Sequence, residues 1–297
     1  MRYIKGTLDF KEEQRCVVTL GKFDGLHRGH RALIDRVIHY KENQALRTVF
    51  TFDIMPMMLL SKKERRKMLK NLGIDLMIEC PFTADIITMD PEAFVKDILV
   101  NKLNAVHIVV GADYRFGYHR SGNVQLLKEM GEKYGFTVDI VEKIMDGDRE
   151  ISSTYIREEL LKGNMEKVNE LLGYEYLITG EIVHGRQVGR TIGIPTTNLI
   201  PSKSKILPPN GVYVTSTTIG DKTYDGMTNI GCKPTVEGSF IGVETYLFDC
   251  EGDLYGKKET VRVRHFIRPE KRFESLEELK QQIQKDEAAI RNYLNER

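Results

Sequence analysis

The chain has 297 residues, of which 44 are lysine or arginine and 43 are aspartate or glutamate, so its formal net charge is +1. A balance this close to neutral excludes binding to nucleic acid or to an anionic membrane through overall charge, and any phosphate binding must come from local sites. With 41% hydrophobic and 29% charged residues, the composition is that of an ordinary globular protein. The length leaves room for two domains, each with its own core.

Targeting and membrane-spanning segments are not expected from the sequence. The first ten residues, MRYIKGTLDF, lack the apolar core of a signal peptide, and no later apolar run has the length that crosses a bilayer. We therefore expect a cytoplasmic protein. No two of the cysteines are close in sequence, which argues against a zinc site and a disulfide framework; they are Cys16, Cys80, Cys232 and Cys250. The first two lie in strand-like runs and are expected to be core thiols.

In the first half of the chain, short apolar runs alternate with segments of helical spacing. The expected strands are residues 16–21, 47–53, 74–80, 105–112 and 136–141. The expected helices are residues 28–44, 61–72, 91–103 and 123–135. This alternation predicts an α/β fold with a doubly wound parallel sheet, whose ligands bind beyond the carboxyl ends of the strands. Three segments follow such ends and are predicted to converge on one crevice, namely residues 21–30, 51–57 and 111–117.

The segment GKFDGLHRGH, residues 21–30, has the features of a phosphate site. An apolar strand that ends in glycine and opens a helix brings unpaired N–H groups and the positive end of the helix dipole to one point. Gly21 and Gly25 allow the backbone to turn and to approach a ligand closely. His27 and His30 share a helix face, and imidazole donates to phosphate oxygens and to charge that develops when an α-phosphorus is attacked. The segment therefore predicts a nucleotide site.

Two other readings of the histidine pair stay open on the residues alone. His27 and His30 could ligate a metal, although no third or fourth protein ligand is adjacent, or they could form a solvated pair on an ordinary helix. The whole string resembles the adenylyltransferase domain of bifunctional riboflavin kinase/FAD synthetases, within the HxGH nucleotidyltransferase superfamily. The resemblance implies that ATP is bound by Gly21, Phe23, Asp24, Gly25, His27 and His30, with the two histidines catalytic.

Two further strings in the first half are similar to the same family. In ISSTYIR, residues 151–157, the hydroxyls of Ser153 and Thr154 could cap a helix and hold an anion together with Arg157; a well-capped helix is the alternative. The resemblance implies that this segment binds the phosphates of ATP. In GADYRFG, residues 111–117, it implies contact with flavin; core aromatics are the alternative for Tyr114 and Phe116. The implied flavin residues are Asp113, Tyr114 and Phe116.

After Gly173 the pattern changes to short strands broken by glycine and proline. Residues 177–200, 211–231, 243–249 and 258–270 read as antiparallel strands, and only residues 275–295 look helical. We expect an all-β second domain, a small antiparallel β-barrel capped by a C-terminal helix. The predicted domains are residues 1–175 and 176–297.

Residues 184–198, HGRQVGRTIGIPTTN, form the first of three clusters in this half that carry chemistry. Gly185, Gly189 and Gly193 suit a flexible lid over phosphate, to which Arg186 and Arg190 add charge. Thr196 and Asn198 are two residues apart, so on an extended chain their side chains share a face and offer neutral oxygens to Mg²⁺ that is already bound to ATP. A glycine-rich hairpin with Thr and Asn in turn positions is the alternative.

The second and third clusters are NIGCKPT, residues 229–235, and Glu244 in VETYLFD. The first is expected to be a binding loop at the barrel mouth. Glu244 is a carboxylate on an otherwise apolar strand; it could take a proton from a hydroxyl, or it could lie on an exposed edge.

With FIRPEKRF at residues 266–273, these clusters resemble, in order, the riboflavin kinase domain. The resemblance implies that Glu244 is the general base and that Thr196 and Asn198 bind Mg–ATP. It further implies contacts to ATP from Gly185, Arg190 and Gly193, and to flavin from Asn229 and Arg268. The chain departs from the family pattern at Met55 and Tyr246, where the family usually has histidine.

Together the strings predict a bifunctional enzyme that phosphorylates riboflavin to FMN and then adenylylates FMN to FAD with release of pyrophosphate. The expected partners are riboflavin, FMN and ATP with Mg²⁺, with no nucleic acid and no membrane, in a monomer or weak oligomer. Two alternatives stay open: an HxGH transferase for another acceptor, and a flavin-binding regulatory protein that has lost catalysis.

Overall fold

The computed structural model describes residues 1–41, 44–53, 57–185, 189, 193–235, 238–250 and 252–296. The chain divides into two compact units, Met1–Ser153 and Thr154–Arg297. Within the part of the chain described, no helix is both long and apolar enough to cross a membrane.

The first unit is built on a six-stranded sheet in which every pairing is parallel. Its strands stand in the order β1-β4-β3-β2-β5-β6. They are β1 (Arg2–Lys5), β2 (Cys16–Leu20), β3 (Leu46–Phe52), β4 (Leu76–Cys80), β5 (Ala105–Gly111) and β6 (Thr137–Val141). Every residue of β2 and β4 is buried, which explains why those strands read as continuous apolar runs. Cys16 and Cys80 are buried thiols, as predicted.

Helices connect the strands and cover the sheet. They are α1 (Arg28–Ile38), α2 (Lys62–Asn71), α3 (Ala84–Ile87), α4 (Pro91–Ala93), a π-helical turn (Phe94–Val100), a 3₁₀ turn (Tyr118–Arg120) and α5 (Val124–Tyr134). A hairpin of β7 (Met145–Asp146) and β8 (Arg149–Glu150) follows β6. Helix α1 ends at Ile38, earlier than the predicted residue 44, and His39 is its C-cap.

The second unit begins at Thr154, within α6 (Ser153–Lys162), and includes α7 (Met165–Leu172). It continues as an antiparallel sheet in the order β10-β13-β12-β11-β14-β9. Its strands are β9 (Tyr176–Glu181), β10 (Thr196–Leu199), β11 (Gly211–Ile219), β12 (Lys222–Thr235), β13 (Gly238–Leu247) and β14 (Lys258–Pro269), followed by α8 (Leu276–Asn295). Just after β9, Ile182 bridges Leu199, and the Val183 N–H donates to the Asn198 carbonyl at 2.8 Å. These contacts join the two ends of the sheet and confirm the predicted barrel.

Side chains alternate between the two faces of the barrel wall. The interior holds a row of buried threonines, in which the Thr228 hydroxyl lies 2.8 Å from those of both Thr215 and Thr245. On the outer face, Val212 and Met227 pack in one cluster with Ile290 of α8. Because strand side chains repeat every second residue, the predicted site residues on β10 and β13 fall on the outer face, beside α8.

Helix α7 belongs to the second unit, and Asn169 ties it to the barrel. The Asn169 amide donates to the Val263 carbonyl at 2.9 Å and accepts the Tyr176 N–H at 2.7 Å. The chain thus divides after Ser153, the first residue of α6, whereas the sequence places the boundary after α7. The boundary at residue 175 stays a prediction.

Candidate functional site

The loop from β2 to α1, residues 21–27, has an unusual backbone. Phe23 and Leu26 have positive φ angles of 50° and 42°, and Gly25 between them has 82°. Positive φ in a non-glycine residue costs on the order of 1–3 kcal/mol and persists only where the surroundings impose it. The loop is therefore held in shape by contacts outside itself.

Asp24 supplies one of those contacts. It is buried, and its Oδ1 accepts the backbone N–H groups of Leu59 at 2.9 Å and Leu60 at 3.4 Å. Its carbonyl accepts the hydroxyl of Ser153 at 2.8 Å. Asp24 thus anchors the loop to the segment after β3, and Ser153 links it to the end of the unit.

His27 and His30 are brought together as the spacing predicts. The ring centroids are 3.7 Å apart and stacked at 27°, and the Phe23 ring lies 5.2 Å from that of His30. His27 caps α1, since its Nδ1 accepts the His30 N–H at 3.4 Å. This bond places the proton of neutral His27 on Nε2. A Cβ on Gly29 would lie 3.2 Å from the His27 ring, so glycine leaves room for the imidazole.

Both imidazoles are neutral at physiological pH. Burial lowers the pKa of His27 to about 4. The pKa of His30 lies well below its usual range because of burial, then His27, then the positive charge of Arg65. The buried Nδ1 of His30 has no hydrogen-bond partner within the described residues. The pair therefore offers neutral hydrogen-bond donors and acceptors.

The predicted flavin residues at the end of β5 have mixed surroundings. Asp113 is exposed and forms an ion pair with Lys143 at 3.0 Å. Tyr114 and Phe116 stack with ring centroids 5.7 Å apart. Phe116 is buried in the core cluster of the unit, with Tyr114 packed against it. Phe116 is thus a core aromatic, and flavin contact from this strip stays a prediction.

Thr154 and Arg157 are the other predicted phosphate ligands of the nucleotide site. Thr154 is exposed and Arg157 is half-buried, both on α6 in the second unit. Met55, where the chain departs from the family pattern, lies outside the described residues, as do Arg186 and Arg190.

The second unit carries a cavity of about 840 Å³ on the outer face of the barrel, with residues of α8 in its wall. This volume is typical of a small-molecule site. Five of the predicted kinase residues line it together: Thr196, Asn198, Asn229, Glu244 and Arg268. Gly185 also lines it, and Gly193 has the positive φ of 79° that suits glycine.

Glu244 stands in the middle of the sheet. Strand β13 lies between β10 and β12, so the exposed-edge explanation of this carboxylate is wrong. Asn198 and Asn229 are its cross-strand neighbours. The Thr196 hydroxyl donates to Glu244 Oε1 at 2.8 Å. A Cβ on Gly185 would meet the Asn198 amide at 2.5 Å, so glycine lets the chain press against that side chain.

The segment NIGCKPT is a strand and not the expected loop. Residues from Gly226 to Thr235 pair continuously with β13, which carries Asn229 to the cavity wall. Gly231 lies within the paired strand and not at a turn. Glycine is required there because a Cβ would lie 1.8 Å from Glu270 Oε1. The Asn229 amide also donates to that oxygen at 3.3 Å.

Arg268 reaches the cavity from β14 and is held by a residue that the sequence analysis missed. Its guanidinium forms a fork with the Asp286 carboxylate of α8, at 2.7 to 3.0 Å. The Gln282 amide donates to the same carboxylate at 2.8 Å. Asp286 lies 18 residues from Arg268 on a helix rich in acidic residues, so no local pattern marks it.

Two different family models match the two parts of the chain that carry these sites. Family models described as FAD synthetase and riboflavin kinase match residues 9–155 and 172–294. The bifunctional riboflavin kinase/FMN adenylyltransferase of Escherichia coli K12 is 36% identical over 99% of this chain and 98% of its own length. The protein of the same description from Bacillus subtilis 168 is 34% identical over 96% of this chain and 95% of its own.

A solved structure also matches nearly the whole chain. It is described as a macrolide-efflux protein from Streptococcus pneumoniae and aligns with a TM-score of 0.86 at 31% identity, covering 98% of each chain. This likeness supports the fold over its full length.

Proposed function

The chain belongs to the family of bifunctional riboflavin kinases/FMN adenylyltransferases, and from that premise we propose that its two sites divide the two reactions between them. The enzyme phosphorylates riboflavin to FMN and adenylylates FMN to FAD, with ATP as co-substrate of both steps. We assign adenylyl transfer to the histidine loop of the first unit, which is the β2–α1 loop of residues 21–27 together with His30 at the start of α1. We assign phosphorylation to the cavity of the second unit.

In adenylyl transfer, a phosphate oxygen of FMN attacks the α-phosphorus of ATP, the P–O bond to the β-phosphate breaks, and pyrophosphate leaves. No nucleophilic side chain is needed. The proton on His27 Nε2 and the neutral imidazole of His30 stabilise charge on the α-phosphate in the transition state. The strained loop holds the two rings stacked before substrate binds, so little reorganisation accompanies the reaction. By resemblance, Ser153, Thr154 and Arg157 hold the phosphates of ATP.

In phosphorylation, the carboxylate of Glu244 accepts the proton of the ribityl 5′-hydroxyl, whose oxygen attacks the γ-phosphorus of ATP, and ADP leaves. Most of the rate comes from positioning and charge neutralisation. Asn229 and Arg268 line the same cavity and are assigned to the flavin, with Asp286 fixing the direction of the guanidinium.

The residues around Glu244 fit a magnesium ion bound to ATP. Thr196 and Asn198 offer neutral oxygens on one face of β10, the ligand type that Mg²⁺ accepts when phosphates supply the remaining charge. The Thr196 hydroxyl donates its proton to Glu244 and keeps its lone pairs for a cation. When bound, the ion would neutralise charge on the β- and γ-phosphates. Within the described residues, no cluster of three His, Cys, Asp or Glu side chains offers a separate metal site.

The observation that carries the assignment is the convergence of Thr196, Asn198 and Glu244 on one cavity wall. The test is a chromatographic assay of the full chain with riboflavin and Mg–ATP, in which FMN and then FAD should accumulate. An HxGH transferase for another acceptor would consume no ATP with riboflavin, and a regulatory protein would bind FMN without turnover. The cytoplasmic location and the monomeric or weakly oligomeric state stay predictions, to be tested by fractionation and size-exclusion chromatography.

A further inference from the structure

A buried ion pair lies next to the histidine loop in the first unit. Arg65 of α2 and Glu79 of β4 are 2% and 0% exposed, and Arg65 Nη2 lies 2.7 Å from Glu79 Oε1. The second oxygen of Glu79 accepts the hydroxyl of Tyr3 on β1. Taking two charges out of water is costly, and apolar residues of similar volume often replace such a pair without loss of stability. Packing alone therefore does not account for it.

The other side of the Arg65 guanidinium reaches the loop itself. Arg65 Nη1 donates to the carbonyl of Lys22 at 2.9 Å, and the Thr51 hydroxyl of β3 donates to the same carbonyl at 3.2 Å. Lys22 immediately precedes Phe23, the first of the residues with positive φ. The carbonyl at the start of the strained segment is thus fixed by two donors from two different elements.

We propose that Arg65 is a positioning residue for adenylyl transfer. It is held by Glu79 and holds the Lys22 carbonyl, and so keeps the following segment in the conformation that stacks His27 on His30. Arg65 contacts no substrate in this scheme and acts through the loop. The inference rests on the assignment of adenylyl transfer to this site.

The position of the charge agrees with this role. Arg65 is one of the groups that lower the pKa of His30, after burial and His27. Within the loop, Asp24 is a buried charged residue. Its Oδ1 accepts the backbone N–H groups of Leu59 and Leu60. A lysine at residue 65 would keep the charge but could not span both partners, because its single ammonium lacks the fork of guanidinium.

The experiment compares three variants of the full chain. Arg65→Lys keeps the charge and removes the fork. The double variant Arg65→Met with Glu79→Leu removes the pair as a whole, which avoids leaving one buried charge unpaired. Lys67→Met is the matched control, since it removes a positive charge from an exposed position of the same helix. For each protein, kcat and KM are measured for FMN adenylylation and for riboflavin phosphorylation, together with thermal unfolding.

We expect kcat of FMN adenylylation to fall roughly tenfold or more in Arg65→Lys and further in the double variant, the usual effect of a small misplacement of catalytic groups. KM for FMN should change less than kcat, and riboflavin phosphorylation and the Lys67→Met control should stay near wild type. An unchanged kcat of adenylylation in Arg65→Lys overturns the proposal, whether or not the double variant folds. A parallel loss of both activities with a lowered unfolding temperature also overturns it. Wild-type protein that forms no FAD would instead refute the assignment of function.

Discussion

The hydroxyl of Thr196 donates to Oε1 of Glu244 across the β10–β13 pair, at 2.8 Å. The residue directly opposite Glu244 on β10 is Asn198, so the carboxylate is flanked by two of the residues assigned to Mg–ATP. The proposed proton acceptor and the proposed ligands of Mg–ATP therefore share one wall of the cavity.

Glu244→Gln should abolish most riboflavin phosphorylation and spare FMN adenylylation. Glutamine keeps the size of the side chain and an oxygen for Thr196 but cannot take a proton, so the rate should fall roughly 10²- to 10⁴-fold. Steady-state rates of FMN formation from riboflavin, and of FAD formation from supplied FMN, measure the two steps separately. FMN production at the wild-type rate would rule out Glu244 as the base.

His30→Ala should have the opposite selectivity. Removal of one preorganised group at the α-phosphate costs about 3 kcal/mol in the transition state, which is roughly a 10²-fold loss. With riboflavin and Mg–ATP supplied, FMN should accumulate while FAD formation slows. The matched control is His39→Ala, because His39 is the C-cap of the same helix and lies away from the loop. FAD synthesis that is indifferent to His30→Ala would contradict the assignment of this site.

Much of the architecture could be predicted because it depends on local patterns. Buried strands such as β2 and β4 read as apolar runs, and the switch to antiparallel strands follows the change in glycine and proline content. Strand β1 was missed because Arg2 and Lys5 at its ends are exposed, so only two residues carry any apolar signal. It forms by pairing with β4, whose residues are 74 positions further along the chain, and its own sequence does not specify that pairing.

Parts of the sites could not be predicted, for a related reason. Arg65 with Glu79, and Arg268 with Asp286, are pairs whose partners come from different elements. The spacing of Thr196 and Asn198 was sufficient to place them on one face, because a strand has a fixed period of two. The segment NIGCKPT was wrongly expected to be a loop, because its pairing with β13 and the Glu270 carboxylate packed against Gly231 come from residues distant in the chain.

The interior of the barrel should make stability depend on pH. Glu259 on β14 is 1% exposed, with one hydrogen bond from the Thr197 hydroxyl at 2.8 Å and its Oε1 unpartnered within the described residues. Burial raises its pKa to about 7, from an ordinary value of 4.5. The folded state therefore binds the proton more tightly than the unfolded state, so stability is lost as pH rises through this window. The loss is complete above about pH 7 and amounts to roughly 3 kcal/mol.

Glu259→Gln cannot ionise and should remove this loss. Urea unfolding of the full chain at pH 5.5 and pH 8.5, followed by circular dichroism, should show a smaller decrease in stability with pH than in wild type. Glu181→Gln provides the control, because Glu181 is an exposed glutamate on the neighbouring strand β9. Identical pH dependence in wild type and Glu259→Gln would show that Glu259 does not titrate in this range.

The two candidate boundaries between the domains can be separated by fragments. Residues 154–297 should fold alone and make FMN but no FAD, because they form one compact unit that contains the whole cavity. A fragment of residues 176–297 lacks α7, whose Met165, Val168, Leu171 and Leu172 are buried, and it also loses the Asn169 contacts to β9 and β14. Each buried apolar side chain is worth about 1.5–3 kcal/mol, so the shorter fragment should be less stable by at least roughly 3 kcal/mol. Urea unfolding of both fragments, with FMN formation measured alongside, gives the comparison. Equal stability and equal activity would place the boundary at residue 175, as the sequence predicts.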